Sequence, residues 1–422
     1  MSDIKNNFAV DLIAEGVKIL KKSAAGEPLD DILDKNRDSR VNSALSDCIF
    51  NYFRRKAQID YIIDSVLNGR KTKPKFKHII IISYVQSIYQ HGISREVSVD
   101  CAVSFAKKKY GSKIAGFING TLRTLLKVNT DQLINTAPEH IKLNIPEQVF
   151  KRWKKYLKND TIKEISASFS RKQNMTFRLT EKMGKLPEEI LNECRAVNLP
   201  EWGKEYKFFE ISNPKILFNT DLVRNGQVYI QDPSTVSPCS YYFHNSNNTV
   251  YDLCAAPGGK SLLLLEKMTD GVLAASDSSL RRQQRTYENL SKNEAEADVL
   301  ICVSSLNAPA FKADSADFIL LDVPCTNTGV IRRRPDVLWN FSEKKLKELT
   351  EKQKLILRNA SELVKTGGHL VYSTCSIEPE ENILQVKAFT ENNNFSLIDS
   401  RQLFPCELHD GGFSALLKKN SN

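Results

Sequence analysis

No two cysteines stand in a CxxC spacing, and no cysteine–histidine cluster has the spacing of a zinc site. Nine cysteines are nevertheless scattered through the chain, an odd number. That pattern argues against a disulfide framework and against a structural metal, and it suits a reducing cytoplasm. The first residues, Met1-Ser2-Asp3-Ile4-Lys5, open no signal peptide, since no apolar core follows a basic start. The longest unbroken apolar run, residues 299–303, is far too short to cross a bilayer. The chain also lacks GxGxxG. Lys260-Ser261 mimics the tail of a P-loop, but the first glycine of that motif is missing. These absences leave a soluble cytoplasmic protein, without metal and without membrane, expected to work as a monomer.

What is present is a basic chain of 422 residues. A formal charge of +10 and a pI near 9.0 point to a polyanionic partner. The apolar fraction of 41% supports real cores, and the length predicts two or three domains.

Residues 1–130 read as all-helical. Phe8, Leu12, Ile13, Val17 and Leu20 recur at helix spacing, as do Ile59, Ile62, Ile63 and Val66 before Asn68-Gly69. Further helices are expected over 79–89, before His91-Gly92, and over 97–110 and 114–126. Basic clusters stand at 54–56, at 70–77 and at 107–109. The segment 71–77 is the better candidate for phosphate contact, read as a proline-interrupted loop. Residues 131–165 read as a linker and a small helical segment around Trp153 and Tyr156, aromatics expected to pack rather than to stack on bases. Residues 166–245 read as an α+β subdomain that clamps the substrate, with strands at 175–179, 206–210 and 228–230 and a helix over 187–197.

From residue 246 strands and helices alternate, which predicts a mostly parallel sheet with helices on both faces. The expected strands are 250–253, 272–276, 299–303, 318–321 and 369–372. In such a sheet ligands bind outside the carboxyl ends of the strands. Three features fall there. The turn Cys254-Ala255-Ala256-Pro257-Gly258-Gly259-Lys260 follows the first strand, where small residues let a ligand touch backbone. Asp277 ends the second strand, where a carboxylate accepts hydrogen bonds from ribose hydroxyls. Cys325 and Cys375 each follow a short apolar strand, and Asp322 ends the first of those two. A nucleoside cofactor fits, S-adenosylmethionine more readily than NAD. Free cysteine commonly serves as a small buried hydrophobe. That reading suits Cys48, Cys101, Cys194, Cys239 and Cys302, but not the two cysteines at strand ends.

The stretches DLCAAPGGK from Asp252, DVPCTNTGVIRRRPD from Asp322 and YSTCSIEPEEN from Tyr372 resemble the RNA cytosine-5 methyltransferases of the Sun/Nol/NSUN type. Residues 117–123 resemble the closing helix of NusB-like RNA-binding bundles. The resemblance implies a multidomain protein: a NusB-like all-α bundle, an α+β subdomain, and a Rossmann-like α/β methyltransferase domain over residues 246–422. It implies small-subunit ribosomal RNA as partner, with transfer RNA or a non-catalytic assembly role as alternatives. It further implies that Cys375 attacks the base, that Cys325 assists release, and that Asp322 reads the cytosine edge and lies near the cofactor. Arg332-Arg333-Arg334 are expected to order the target strand or bind phosphate. An aspartate that would contact the adenine is replaced by the stretch Val303-Ser304-Ser305. The pattern Asp410-Gly411-Gly412-Phe413 has one aromatic fewer than its counterpart in the family.

Overall fold

The computed structural model describes residues 2–34, 42–90, 93–243, 245–295, 297–302 and 311–421. His91-Gly92 and Val303 to Asn307 lie outside the described residues. The chain divides into two compact units. The first holds Met1–Lys172 and Arg334–Asn340; the second holds Gln173–Arg333 and Phe341–Asn422.

The first unit is helical. Its main helices are Ser2–Ala24, Asn42–Arg54, Lys56–Leu67, Pro74–Tyr89, Arg95–Tyr110 and Ser112–Leu125. The helix Pro74–Tyr89 is buried continuously from Ile79 to Ser87, on every face, which marks it as the core element of the bundle. Within it Ser87 Oγ donates to Ser83 O at 2.7 Å, and Gln86 Oε1 accepts from Ser98 Oγ of the next helix at 3.0 Å. Asn68 ends the preceding helix in the left-handed conformation, as the Asn-Gly pair predicts.

The basic segment 71–77 differs from the expected loop. Pro74 is the first residue of a helix, where its missing N–H costs nothing. Lys75 and Lys77 therefore lie on the helix, Lys75 against the rings of Phe76 and Tyr110 and Lys77 paired with Asp64 at 2.7 Å. Lys107, Lys108 and Lys109 are exposed in a last helical turn, where cations offset the helix dipole. Residues 131–165, read as a linker with a small helical segment, hold the short helices Thr130–Asn135, Glu139–Lys142, Glu147–Trp153 and the start of Asn159–Ser170. Trp153 is fully buried, so it packs and does not offer a face to a base. The segment 334–340 is held within this unit: Arg334 pairs with Asp30 at 2.9 Å and Trp339 Nε1 donates to Phe53 O at 3.1 Å.

The second unit carries two sheets. The smaller is antiparallel, in the order β2-β3-β1-β4, from β1 (Met175–Leu179), β2 (Cys194–Val197), β3 (Phe208–Ile211) and β4 (Val228–Ile230). Here the expected helix over 187–197 is wrong in its second half: Glu188–Leu191 is helical, but Cys194–Val197 is a strand paired with β3. Phe208 of β3 demands an apolar partner, and Val197, opposite it in the register and in the same core, supplies one, so tertiary pairing overrides the local helical pattern.

The larger sheet uses β5 (Thr249–Leu253), β6 (Val272–Asp277), β7 (Val299–Cys302), β8 (Ala316–Asp322), β9 (Val364–Thr374), β10 (Phe395–Leu403) and β11 (Gly412–Lys419). Their order is β10-β11-β9-β8-β5-β6-β7. Five strands are parallel, as expected, and β10 and β11 add an antiparallel edge that the sequence reading did not include. Strand order reverses at β5, so the crevice between β5 and β8 is the switch point where ligands bind in open sheets. Helices Gly259–Lys267, Leu280–Lys292 and Glu343–Leu363 connect the parallel strands. Leu253, Ile319, Leu321, Leu370 and Tyr372 fill the core on one face, and Val250, Leu273, Phe318, Leu320 and Val371 that on the other. This alternation is what a strand buried on both faces requires.

Candidate active site

Register brings the two cysteine loops together. Leu321 of β8 stands opposite Tyr372 of β9, and Asp322 opposite Ser373. Both strands then end, and the chain continues over the same carboxyl edge. Cys325 Sγ and Cys375 Sγ meet at 3.2 Å. Asn327 Oδ1 lies 2.8 Å from the Cys375 sulfur and 3.8 Å from that of Cys325. The contact with Cys375, burial, and the charge of Cys375 push the Cys325 thiol well above its ordinary value.

A buried carboxylate locks the two loops. Glu381 is fully buried, accepts from Thr326 N at 2.8 Å and Gln353 Nε2 at 3.0 Å, and also bonds the Thr326 hydroxyl. Burial raises its pKa despite these donors. Thr328 and Thr326 hydroxyls both reach Ser376 Oγ, at 3.0 and 3.1 Å. Glu381 thus ties the Cys375 loop to its neighbour just ahead of the helix that begins at Ile383.

Lys260 joins the cofactor turn to this edge. It is the second residue of the helix Gly259–Lys267, a place where the dipole disfavours a cation. Its Nζ meets Asp322 Oδ2 at 2.6 Å, while Ser373 Oγ donates to Asp322 Oδ1 at 3.1 Å. Burial opposes the charge on Lys260, but the Asp322 carboxylate outweighs it and raises the lysine above its ordinary value.

The turn itself is main chain and small side chains. Cys254 takes φ +72° and Gly258 φ +94°. A methyl group at Gly258 would lie 2.9 Å from Thr286 Cγ2, so the position needs glycine for both backbone angle and space. Asp252, beneath the turn, is fully buried and bonded to Ser261 Oγ at 2.5 Å; burial pushes its pKa up to about 7. Asp277 is 2% exposed at the end of β6, and its Oδ1 accepts from Ser279 N at 2.9 Å and pairs with Arg282 at 2.8 Å. From the smaller sheet, buried Arg178 grips Glu266 at 2.7 Å and donates to Gln231 Oε1 at 2.8 Å; Gln231 in turn donates to Gly259 O at 3.2 Å. A backbone turn at a helix start, with one carboxylate on the next strand, is the donor set for a nucleoside bearing an amino-acid arm.

A cavity of about 50 Å³ opens beside this edge. Lys260, Asp322, Arg333, Cys375 and Phe413 line it, with Ser234, Thr235 and Ser237 from a segment the sequence reading passed over. Asp232 shapes that segment by accepting from Ser234 N at 2.9 Å, a capping signal visible in Asp-Pro-Ser. The arginine run differs from the expected phosphate site. Arg332 is buried beside Asp232 and Asp410, at 3.6 and 3.7 Å, and donates to Gln173 and to Glu407 O. Arg333 pairs with Asp410 at 2.5 Å and borders the cavity. Arg334 belongs to the other unit, on Asp30. Each arginine therefore has an acidic partner. Among the described residues no cluster of histidine, cysteine or carboxylate groups could hold a metal ion.

Comparison with known proteins agrees with this architecture. Residues 242–415 match the family described as 16S rRNA methyltransferase RsmB/F, and residues 6–127 match the NusB family. The ribosomal RNA small subunit methyltransferase B of Vibrio cholerae is 29% identical over 90% of both chains. The crystal structure of the protein PH0851 shares the fold over 97% of this chain and 99% of its own, with a TM-score of 0.77 at 21% identity. A methyltransferase homologue from Pyrococcus horikoshii is 27% identical, covers 66% of this chain and 97% of its own, and superposes with a TM-score of 0.56. The turn, the paired thiol loops and these matches together mark an S-adenosylmethionine-dependent methyltransferase, in which an RsmB/F-family methyltransferase domain follows a NusB-family domain along the chain.

Proposed function

We propose that this enzyme methylates C5 of a cytosine in small-subunit ribosomal RNA, through a covalent bond between Cys375 and C6 of the base. The observation that carries the reading is two thiols 3.2 Å apart, beside a cavity that Cys375 shares with Asp322 and Lys260. Cytosine C5 is too weak a nucleophile to be methylated unaided, and a thiolate adding at C6 makes it enamine-like.

When bound, S-adenosylmethionine supplies a sulfonium methyl group for that activated carbon. Cys254, Ala255, Ala256, Pro257, Gly258, Gly259 and Lys260 hold its amino-acid arm, Asp277 its ribose hydroxyls, and Asp322 borders both cofactor and base. The cytosine leaves its stack to enter the cavity. Asp322, fixed by Lys260 and Ser373, accepts a hydrogen bond from the exocyclic amino group. The Cys375 thiolate forms the S–C6 bond, and the C5–C6 π pair moves towards C5. Cys325 is held as a thiol at first, because it faces the Cys375 sulfur in a buried place. Once that sulfur is bonded to carbon, its hydrogen bond and charge no longer oppose ionisation of Cys325. Cys325 then gives its proton to solvent, its thiolate takes the C5 proton, the C5–H pair returns to C5–C6, and the S–C6 bond breaks with its pair returning to the Cys375 sulfur. The exposed lysines 107–109 of the NusB-family domain offer phosphate contacts. Two reduced thiols in contact suit a cytoplasmic setting.

The test uses labelled S-adenosylmethionine and ribosomal RNA. Cys375→Ser is expected to lower methyl transfer by at least about a thousandfold. Cys325→Ser is expected to accumulate a protein–RNA adduct on a denaturing gel, since release is blocked. An adduct with Cys375→Ser and none with Cys325→Ser would reverse the two roles. Full methylation by both variants would sink the reading.

A further inference from the structure

Asn327 stands two residues beyond Cys325 with φ +63°, a left-handed conformation that asparagine tolerates better than most residues. From there its side chain faces both sulfurs, with Oδ1 at 2.8 Å from Cys375 and 3.8 Å from Cys325. A carboxamide has an acceptor at one end and donors at the other, in nearly the same shape. While Cys375 is a thiol, its S–H donates to Oδ1. A thiolate in the same place would face the lone pairs of that oxygen, and a half-turn of the amide presents Nδ2–H to it instead.

We propose that Asn327 is a catalytic residue whose amide attends the Cys375 sulfur in both charge states, accepting from the thiol and donating to the thiolate. The inference rests on the function proposed above. It adds the group that steadies the sulfur's charge when the bond to C6 forms and again when it breaks. The amide moves no proton; the thiol proton leaves to solvent. The other groups facing this sulfur are accounted for. Lys260 is engaged by Asp322, Arg333 by Asp410, and Glu381 by Thr326 and Gln353. The Cys325 thiol is the second donor in contact.

The experiment measures alkylation of Cys375 by iodoacetamide at pH 7.5, located by peptide mass spectrometry, in the full chain without RNA or cofactor. Asn327→Gly removes the amide and keeps the backbone angle. It is expected to slow alkylation about threefold, because a lost donor lowers the thiolate fraction while the more basic thiolate regains part of the rate. Asn327→Asp places a carboxylate against the sulfur and is expected to slow it about tenfold. Circular dichroism and binding of S-adenosylhomocysteine serve as controls for fold. Alkylation of Asn327→Gly and Asn327→Asp at the parent rate, with both variants folded, overturns the proposal. Slowed alkylation alongside full methylation by Cys375→Ser instead upholds the Asn327 contact and removes the function it was meant to serve.

Discussion

The two halves of the sheet edge are built by different means. Between β5 and β6 the ligand surface is main chain, small side chains and a glycine-dependent turn, braced from behind by Arg178 and Gln231. Between β8 and β9 it is side chains holding other side chains: Glu381, Thr326, Ser376 and Asn327 around two sulfurs. The cofactor half needs a shape for a ligand that arrives whole. In the mechanism we propose, the thiol half must keep two sulfurs in contact while one of them changes charge and bonding. Fixed geometry suffices for the first task, and a satisfied polar network is needed for the second.

Three substitutions break this contrast in order of size. Arg178→Ala leaves Glu266 as a nearly buried charge without its partner and frees Gln231. It should cost about 3 kcal/mol in urea unfolding and weaken cofactor binding, while adduct formation at saturating cofactor stays close to the parent. Stability within error of the parent would show that the smaller sheet does not brace the turn. Glu381→Gln keeps the shape but puts an amide N–H against Thr326 or Gln353 donors. A loss of about 1 kcal/mol is expected, with the larger effect on the methylation rate and little on cofactor affinity. An affinity loss equal to the rate loss would erase the distinction between the two halves.

Asp252→Asn is the mildest. The folded pKa of Asp252 is raised to about 7, above its unfolded value, so its contribution is fully present below about pH 4 and fades as pH rises towards about 7. The asparagine variant cannot ionise and should lack that decline. Its Tm is therefore expected to gain on the parent by about 3 °C between pH 4 and pH 7, read by calorimetry. A constant Tm difference across that range would show that Asp252 stays charged.

Much of this edge was legible in the sequence because it is local. Strand ends at Leu253, Asp277 and Asp322 follow from short apolar runs, and the Cys254–Lys260 turn from its glycines. The meeting of Cys325 and Cys375 follows once two parallel strands are neighbours. The rest depends on distance along the chain. Nothing near Glu381 announces that its carboxylate caps Thr326, 55 residues away. The antiparallel strands β10 and β11 were missed for different reasons: Asp399 and Arg401 break the pattern of β10 on the edge, while β11, paired on both sides, is buried from Phe413 to Leu417 and shows no alternation. Arg332 and Arg333 read as phosphate ligands because basic runs usually are solvent-facing. Here Asp232 and Asp410, far apart in sequence, draw Arg332 inward, and Asp410 also holds Arg333, which stays exposed at the cavity's border.

Gly329 shows where the cysteine motif has least freedom. Its N–H donates to Cys375 O at 3.0 Å, and Gly411 N–H donates to its carbonyl at 2.8 Å. A methyl group there would lie 2.8 Å from the Cys375 carbonyl oxygen and closer still to that of Gly411. Even alanine would act as a wedge, prying the Cys375 loop from the segment at Gly411 that borders the cavity. The hydrogen atom in place of a side chain at this position sets how tightly the two loops can close. A screen of all substitutions across this motif should find position 329 as intolerant as the cysteines themselves, for reasons of space alone.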